Sequence, residues 1–165
     1  MAIKTRNLTL ILVALLLSWF SLNAQSLSTQ QYEQLSLKYA TSSIPELRAF
    51  LSIPNNALID GHVENNLEFL EKAFSQRGFS TKRLPSSSRT AFFAEKSFDL
   101  ALPTVLIYMH FDGQPVDPSK WQQDDPYTPA LKEKLANGSF RQVDWSALDK
   151  GFDDELRVFA RSASD

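Results

Sequence analysis

The sequence predicts an α/β protein in which helices pack against strands. Three observations support this fold class: an amphipathic helical repeat at 63–74, two short β-prone stretches at 79–84 and 90–95, and an uninterrupted apolar run at 104–109. A run of that kind is typical of a strand that is buried on both faces and covered by helices. Ligands in such folds gather beyond the carboxyl ends of the central strands, so the residues after Met109 form the first candidate site.

The N-terminal residues predict an export signal. Lys4 and Arg6 precede an uncharged apolar run at 8–22, which is shorter than the roughly 20 residues that a membrane-spanning helix needs. Leu22-Asn23-Ala24 offers a small residue for cleavage, so residues 1–24 are expected to be a signal peptide, with an uncleaved N-terminal anchor as the alternative. The absence of cysteine excludes a lipoprotein anchor, a disulfide framework and any thiolate ligand or nucleophile.

The expected mature chain is acidic. Cleavage removes Lys4 and Arg6 and no acidic residue, so the formal net charge changes from −2 to −4. This charge argues against nucleic acid as a partner. We expect a periplasmic or extracellular protein that has no membrane partner after cleavage.

Two short helices are expected at the start of the mature chain. Apolar spacing predicts a helix over 28–39, and after a break before Pro45 a second helical stretch ends near Ser52. Ile53-Pro54-Asn55-Asn56 then predicts a loop that reaches about Gly61.

The next elements follow from clearer patterns. The apolar face of 63–74 lies opposite glutamates and a lysine, and Gly78 stands where a left-handed C-terminal cap would fall. Strands are predicted at 79–84 and 90–95, joined by the turn Pro85-Ser86-Ser87-Ser88.

The second half is dominated by turns and charges. A helical turn is one interpretation of 131–135, and 156–160 predicts a short strand. Its acidic residues are interpreted as a solvated loop surface rather than a calcium site, because no D-x-D-x-D-G loop is present. These residues are Asp144, Asp149, Asp153, Asp154 and Glu155.

His110 and Asp112 follow the predicted buried strand. Residues two apart in an extended chain point to the same side, so both side chains could face one cleft before Gly113 turns the chain. A metal-binding imidazole is usually fixed by a carboxylate on its other ring nitrogen, and Asp112 could do this.

The tripeptide alone leaves other interpretations open. His110 could cap a strand without binding metal, or H-x-D could be half of a Ser/His/Asp arrangement, although no G-x-S-x-G elbow is present. The other histidine, His62, is expected to start a helix and face solvent, because no second ligand stands near it at chelating spacing.

The longer string PTVLIYMHFDGQPVDPSKWQQDDPYTP, residues 103–129, is more specific. It resembles the strand and loop of the co-catalytic zinc exopeptidases, which include carboxypeptidase G, carnosine dipeptidases, acetylornithine deacetylase and succinyl-diaminopimelate desuccinylase. The matching features are H-x-D-x-Q-P-V, Trp121 and the D-P-Y turn at 125–127, preceded by F-L-x-I-P-N and R-G-F upstream. The Q-P-V loop and Trp121 argue against a different zinc aminopeptidase family that also uses H-x-D.

The resemblance implies roles for three residues. His110 would bind one zinc ion, Asp112 would orient its imidazole, and Asp165, at the end of A-R-S-A-S-D, would bridge two zinc ions. Ala160 and Ser162 replace glycines that are usual in that motif, and residues 137–155 look like an insertion. The implied fold is the N-terminal portion of a zinc-exopeptidase catalytic domain, residues 25–165, with a central mixed sheet flanked by helices.

The implied function is hydrolysis of a peptide or of an N-acylated amino acid by water held between two Zn²⁺ ions. The general base and the remaining ligands of such enzymes follow the bridging aspartate, so this chain is expected to be an inactive fragment of the complete enzyme. The family's inserted domain leaves a homodimer open. The alternative is a non-catalytic secreted binding module that keeps the first half of the fold.

Overall fold

The computed structural model describes residues 27–163. The predicted signal peptide and Asp165 therefore lie outside the described residues. Residues 27–37 belong to one compact unit and residues 38–163 to a second. In the described part of the chain, no helix has both the length and the apolar character needed to cross a membrane.

Helix α1 spans Thr29–Leu51 and contains Pro45. The predicted break before Pro45 is wrong, because the ring of proline fixes φ close to the helical value and the helix continues at the cost of one backbone hydrogen bond. The Ser43 hydroxyl, two residues earlier, donates to the carbonyl oxygen of Tyr39 at 2.7 Å. Leu51, at the end of the helix, is buried.

Helix α2 spans His62–Gln76 and confirms the strongest helical prediction. Leu67 has no exposed surface, as expected from the apolar face. Gly78 has φ +77°, and the backbone N–H groups of Gly78 and Phe79 donate to Ser75 and Phe74 carbonyls at 2.9 and 3.1 Å. This is the double bond pattern of a Schellman cap, which uses glycine because its left-handed conformation is unstrained there.

The first sheet confirms both predicted strands. Strand β1, Ser80–Leu84, pairs antiparallel with β2, Ala91–Glu95. Helix α2 packs on this hairpin through Phe74, whose ring lies 5.2 Å from that of Phe79 and 5.3 Å from that of Phe92, centroid to centroid.

The second sheet has three antiparallel strands in the order β4-β3-β5. They are β3, Ala130–Lys134, β4, Phe140–Val143, and β5, Leu156–Phe159. The helical turn considered for 131–135 is wrong, because β3 is paired on both sides and its backbone groups are used in two ladders. The strand predicted near 156–160 is confirmed.

Residues 104–109 form no strand, which overturns the prediction of a buried strand. The side chains at 105–109 are between 73% and 86% exposed, and no described strand pairs with them. A β-prone run becomes a buried strand only if neighbouring strands and helices cover it, and composition alone does not reveal whether they do.

The coarse fold class is confirmed, because helices and sheets are mixed in the described chain. A central mixed sheet is not among its elements, since both described sheets are small and antiparallel. Among the described residues, the one parallel contact is an isolated bridge between Asn56 and Gly113. That bridge joins the loop after α1 to the candidate site.

Candidate functional site

The backbone of Gly113 is bound to the loop that follows α1. Its N–H donates to the carbonyl oxygen of Asn55 at 2.7 Å, and its own carbonyl accepts from the N–H of Ala57 at 3.0 Å. These two bonds hold the residue after Asp112 in a fixed position. The loop that carries His110 and Asp112 is therefore anchored at its C-terminal end.

The side chain of Asn55 ties three segments together, which we call the Asn55 junction: residues 55–57, 111–113 and 161–162. Asn55 is 6% exposed, and its Nδ2 donates to the carbonyl oxygen of Phe111 at 2.8 Å and to Oγ of Ser162 at 2.9 Å. A single amide group thus uses both of its N–H bonds to connect the H-x-D loop with the C-terminal segment.

Gly113 is required at the junction because of space. A Cβ built on it would lie 2.6 Å from Oδ1 of Asn55 and 3.0 Å from its Cγ. The 2.6 Å contact is closer than real Cβ atoms come to a neighbour, so the Asn55 amide packs directly on the backbone of Gly113. This Oδ1 is buried and has no hydrogen-bond partner in the described chain.

The C-terminal segment is also held from the other side. The N–H of Arg161 donates to the carbonyl oxygen of Pro126 at 2.7 Å, and its Nε donates to that of Gln114 at 3.4 Å. Nη1 of the same guanidinium donates to Ser162 Oγ at 2.9 Å. The D-P-Y turn, the Q-P-V loop and the A-R-S segment, which are distant in sequence, therefore meet at one place.

His110 and Asp112 lie side by side and both are about half exposed. Nδ1 of His110 is 4.0 Å from Oδ1 of Asp112 and 3.4 Å from its backbone oxygen. The carboxylate is too far for a hydrogen bond but close enough to attract a charged imidazole, and the backbone oxygen of Asp112 can accept a hydrogen bond from a protonated Nδ1. A proton on Nδ1 would leave Nε2 as the metal-binding nitrogen.

The donors present suit zinc in kind but not in number. Imidazole nitrogen and carboxylate oxygen are normal zinc ligands, and a catalytic site uses about three from the protein for each ion. Within residues 27–163, no group of three or more His, Asp and Glu residues is placed to hold a metal ion. Asp165, the second predicted ligand, lies outside that range, so the described residues alone do not make a complete metal site.

His62 differs from its expected role as a solvent-facing residue. It is half-buried, and its ring lies edge-on to that of Tyr127 with centroids 6.5 Å apart. Its Nδ1 is buried without a hydrogen-bond partner among the described residues. His62 therefore packs against the D-P-Y turn, a contact that the sequence did not indicate.

Residues 137–155, which looked like an insertion, form ordered structure beside α1. They contribute β4 and a short 3-10 helix, Trp145–Lys150, and the Arg48 guanidinium lies 4.8 Å from the centroid of the Trp145 ring. Asp144 begins the 3-10 helix by accepting from the Ser146 N–H at 2.8 Å, and the hydrogen bonds of Ser146 lower the pKa of this carboxyl. An open groove of about 420 Å³ borders this region, lined by residues that include Glu133, Phe152 and Asp153.

Sequence reasoning missed the role of Asn55. The stretch Ile53-Pro54-Asn55-Asn56 was interpreted as the start of a loop and as part of the F-L-x-I-P-N string, with no contact assigned to the Asn55 side chain. The available signal was the asparagine that ends the upstream F-L-x-I-P-N string, since buried polar side chains are normally kept where they have hydrogen-bond partners.

The comparisons with known proteins add no relative. No protein-family model matches the chain, and neither curated proteins nor solved structures give a significant match. The resemblance to the zinc exopeptidases therefore depends on the residues and motifs quoted from the sequence.

Proposed function

We propose that this chain is the N-terminal part of an exported, zinc-dependent exopeptidase or amidohydrolase. Its substrate class would be a peptide or an N-acylated amino acid, whose amide bond is cleaved by water. The observation that carries the proposal is the Asn55 junction, where the H-x-D loop and the A-R-S segment meet.

The junction matters because the two predicted metal ligands flank it. His110 and Asp112 are next to Phe111, and Asp165 follows Ser162 by three residues. Three residues of extended chain span at most about 10 Å. Because the Asn55 amide links Ser162 to the carbonyl oxygen of Phe111, the proposal requires only this short length of chain to connect the junction with Asp165, although His110 and Asp165 are 55 positions apart in the sequence.

Within the proposal each residue has a separate task. His110 binds one metal ion through its imidazole, Asp112 supplies negative charge beside that ring, and Asp165 binds with its carboxylate. Two Zn²⁺ ions supply a polarised water that is a strong nucleophile near neutral pH. The resemblance assigns the general base and the remaining ligands to positions after residue 165, so the described residues bind and position but do not complete the reaction.

The exposed apolar segment at 104–109 favours a second candidate function. A stretch with side chains 73–86% exposed at 105–109 is a surface that could bind an apolar partner. On this view the protein is a secreted binding module without catalysis. The two candidates differ in whether His110 is needed for a metal-dependent activity.

Measurement of hydrolysis by the protein from the complete reading frame tests the first candidate. We expect cleavage of dipeptides or N-acyl amino acids that a chelator abolishes and added zinc restores. His110→Ala should remove both the restored activity and one bound zinc ion, as counted by elemental analysis. His62→Ala is the matched control, because His62 is the other histidine of the chain and packs on Tyr127.

Two results would contradict the proposal. One is amide hydrolysis that chelation leaves unchanged, and the other is equal zinc content in wild type and His110→Ala. A protein that binds no zinc and cleaves no amide, yet binds an apolar partner through residues 104–109, would support the second candidate instead.

A further inference from the structure

We propose that Asn137 is a site of spontaneous modification, where the turn between β3 and β4 converts the asparagine into aspartate and isoaspartate. Water is the co-reactant and ammonia is the leaving group. The proposal is independent of the proposed function, because it needs neither a metal ion nor a substrate. It depends on the geometry of residues 135–139, which join the two strands.

The turn exposes the two groups that react. Asn137, Gly138 and Ser139 are all exposed, and Asn137 is the one asparagine of the sequence that a glycine follows. Gly138 has φ +83°, and a Cβ built on it would have open space around it. Because glycine has no side chain, nothing at this residue shields its backbone nitrogen from the side chain of Asn137.

Ser139 binds the amide oxygen of Asn137 through two donors. Its backbone N–H donates to Oδ1 at 3.0 Å, and its hydroxyl donates to the same atom at 2.7 Å. The bond from the backbone folds the Asn137 side chain back over its own peptide bond with Gly138. Two donors on one oxygen also stabilise the negative charge that develops there when a nucleophile attacks the carbonyl carbon.

Water converts the amide in two steps. The Gly138 nitrogen gives its proton to a solvent base and bonds to Cγ of Asn137, which places the negative charge on Oδ1 between the two donors of Ser139. Nδ2 then takes a proton from water and leaves as ammonia, which closes a succinimide ring. Water adds to one of the two ring carbonyls and breaks the bond from that carbon to nitrogen. Breakage at Cγ gives aspartate, and breakage at the main-chain carbon gives isoaspartate.

One backbone hydrogen bond opposes the first step. The N–H of Gly138 donates to the carbonyl oxygen of Leu135 at 2.8 Å, so this bond must break before the nitrogen can attack. It lies at the exposed tip of a hairpin, where local opening requires much less free energy than unfolding of the sheet. The bond therefore slows the reaction without preventing it.

The two products differ in their effect on the hairpin. Aspartate adds a negative charge, and its carboxylate can accept the same two bonds from Ser139. Isoaspartate adds a carbon atom to the main chain inside the turn, which the Leu135 N–H closes by donating to the Ser139 carbonyl oxygen at 2.8 Å. This form should loosen the adjacent end of β4, where the Phe140 ring packs on that of Phe159.

The first test follows the purified full-length protein during incubation in mildly alkaline buffer. Trypsin releases residues 135–141 as one peptide, because Lys134 and Arg141 flank the turn. Mass spectrometry then measures the replacement of NH₂ by OH, and an isoaspartate methyltransferase assay counts isoaspartate. We expect conversion at Asn137 and none at Asn65, which is exposed too but lies within α2 and precedes a residue with a side chain.

The second test separates the folded geometry from the local sequence. A synthetic peptide of residues 135–141 has the same reacting groups without the hydrogen-bonded turn. Ser139→Ala should slow conversion of the protein about 2–10-fold, the effect of one hydrogen bond on a rate, and should slow the peptide less than about 2-fold. Ser139→Thr should restore the rate in the protein, and Asn137→Gln should show no conversion because its longer side chain would have to close a larger ring.

Three results would overturn the proposal. The first is wild-type protein that stays unconverted while the synthetic peptide converts, a comparison that needs no variant to fold. The second is conversion of Asn65 as fast as that of Asn137. The third is an equal effect of Ser139→Ala on the protein and on the peptide, because the two bonds to Oδ1 would then have no part in the reaction.

Discussion

Replacement of Gly113 by alanine tests the packing of the candidate site. The new methyl group would meet Oδ1 of Asn55 at 2.6 Å, whereas ordinary contact begins at 3.4 Å, so the amide must retreat by roughly that difference. Its bonds to Phe111 and Ser162, now 2.8 and 2.9 Å, would then exceed the length of a hydrogen bond.

The expected loss of stability follows from those two bonds. Each is worth about 1 kcal/mol net, and a buried amide left without partners adds a desolvation cost, so Gly113→Ala should destabilise the fold by about 2–3 kcal/mol. Gly113 is not among the described residues with positive φ, so the strain of a left-handed conformation does not oppose alanine there. Urea unfolding followed by tryptophan fluorescence measures the change.

A double-mutant cycle isolates the contact. In an Asn55→Ala background the obstructing amide is absent, so adding Gly113→Ala should cost less than about 0.5 kcal/mol. If Gly113→Ala lowers the free energy of unfolding equally in both backgrounds, or in neither, the packing of Asn55 on Gly113 is not the reason for a glycine at this position.

Three further predictions concern the rest of the fold, and denaturant unfolding tests each of them. Leu67→Ala should lower the free energy of unfolding by about 2–5 kcal/mol, because the Leu67 side chain is fully buried. Ile107→Ala should change it by less than about 0.5 kcal/mol, because the Ile107 side chain is exposed. A large loss of stability for Ile107→Ala would mean that residues 104–109 are covered. Pro45→Ala should stabilise the protein by about 2 kcal/mol. Alanine restores a backbone hydrogen bond in the helix, and this gain exceeds the loss that comes from the greater conformational entropy of the unfolded chain. An unchanged stability would contradict the continuous helix. The hydrogen bonds of Arg83 lower the pKa of Glu71, so the stability that they add is present above the ordinary pKa of glutamate and is lost as the pH falls through the lowered pKa. The difference in free energy of unfolding between wild type and Arg83→Met should therefore become smaller on acidification. A difference that becomes larger would refute the pairing.

Sequence patterns predicted the helices and strands that are stabilised by contacts between residues close together in the sequence. The cap at Gly78 and helix α2 depend on residues within a few positions of one another, and so does the hairpin of β1 and β2. Helical periodicity and turn residues report on such contacts directly. Helix α2 and its glycine cap are therefore predictable from the amino-acid sequence alone.

Contacts between distant residues are not predictable in the same way. Asn55 bonds to Phe111 and Ser162 across 56 and 107 positions, and nothing in the composition of a single sequence records such a pairing. One partner of the strand at 130–134, β5, is also distant in sequence. Its other partner, β4, is only a short loop away, and the strand was missed because Ala-Leu-Lys-Glu-Lys consists of residues that favour helices. The pairing of His110 with Asp165 stays a prediction that the full metal site must test.

The exposed run at 104–109 has a consequence for handling the protein. Thr-Val-Leu-Ile-Tyr-Met is six residues long, β-prone, and lacks charge, glycine and proline, which is the composition of segments that stack into cross-β assemblies. Pro103 and Asp112 lie near its two ends and are residue types that oppose such stacking, but the six residues themselves include none of that kind. Purified protein should therefore aggregate with a steep dependence on concentration, and a lysine at Ile107 should raise the concentration at which aggregation begins.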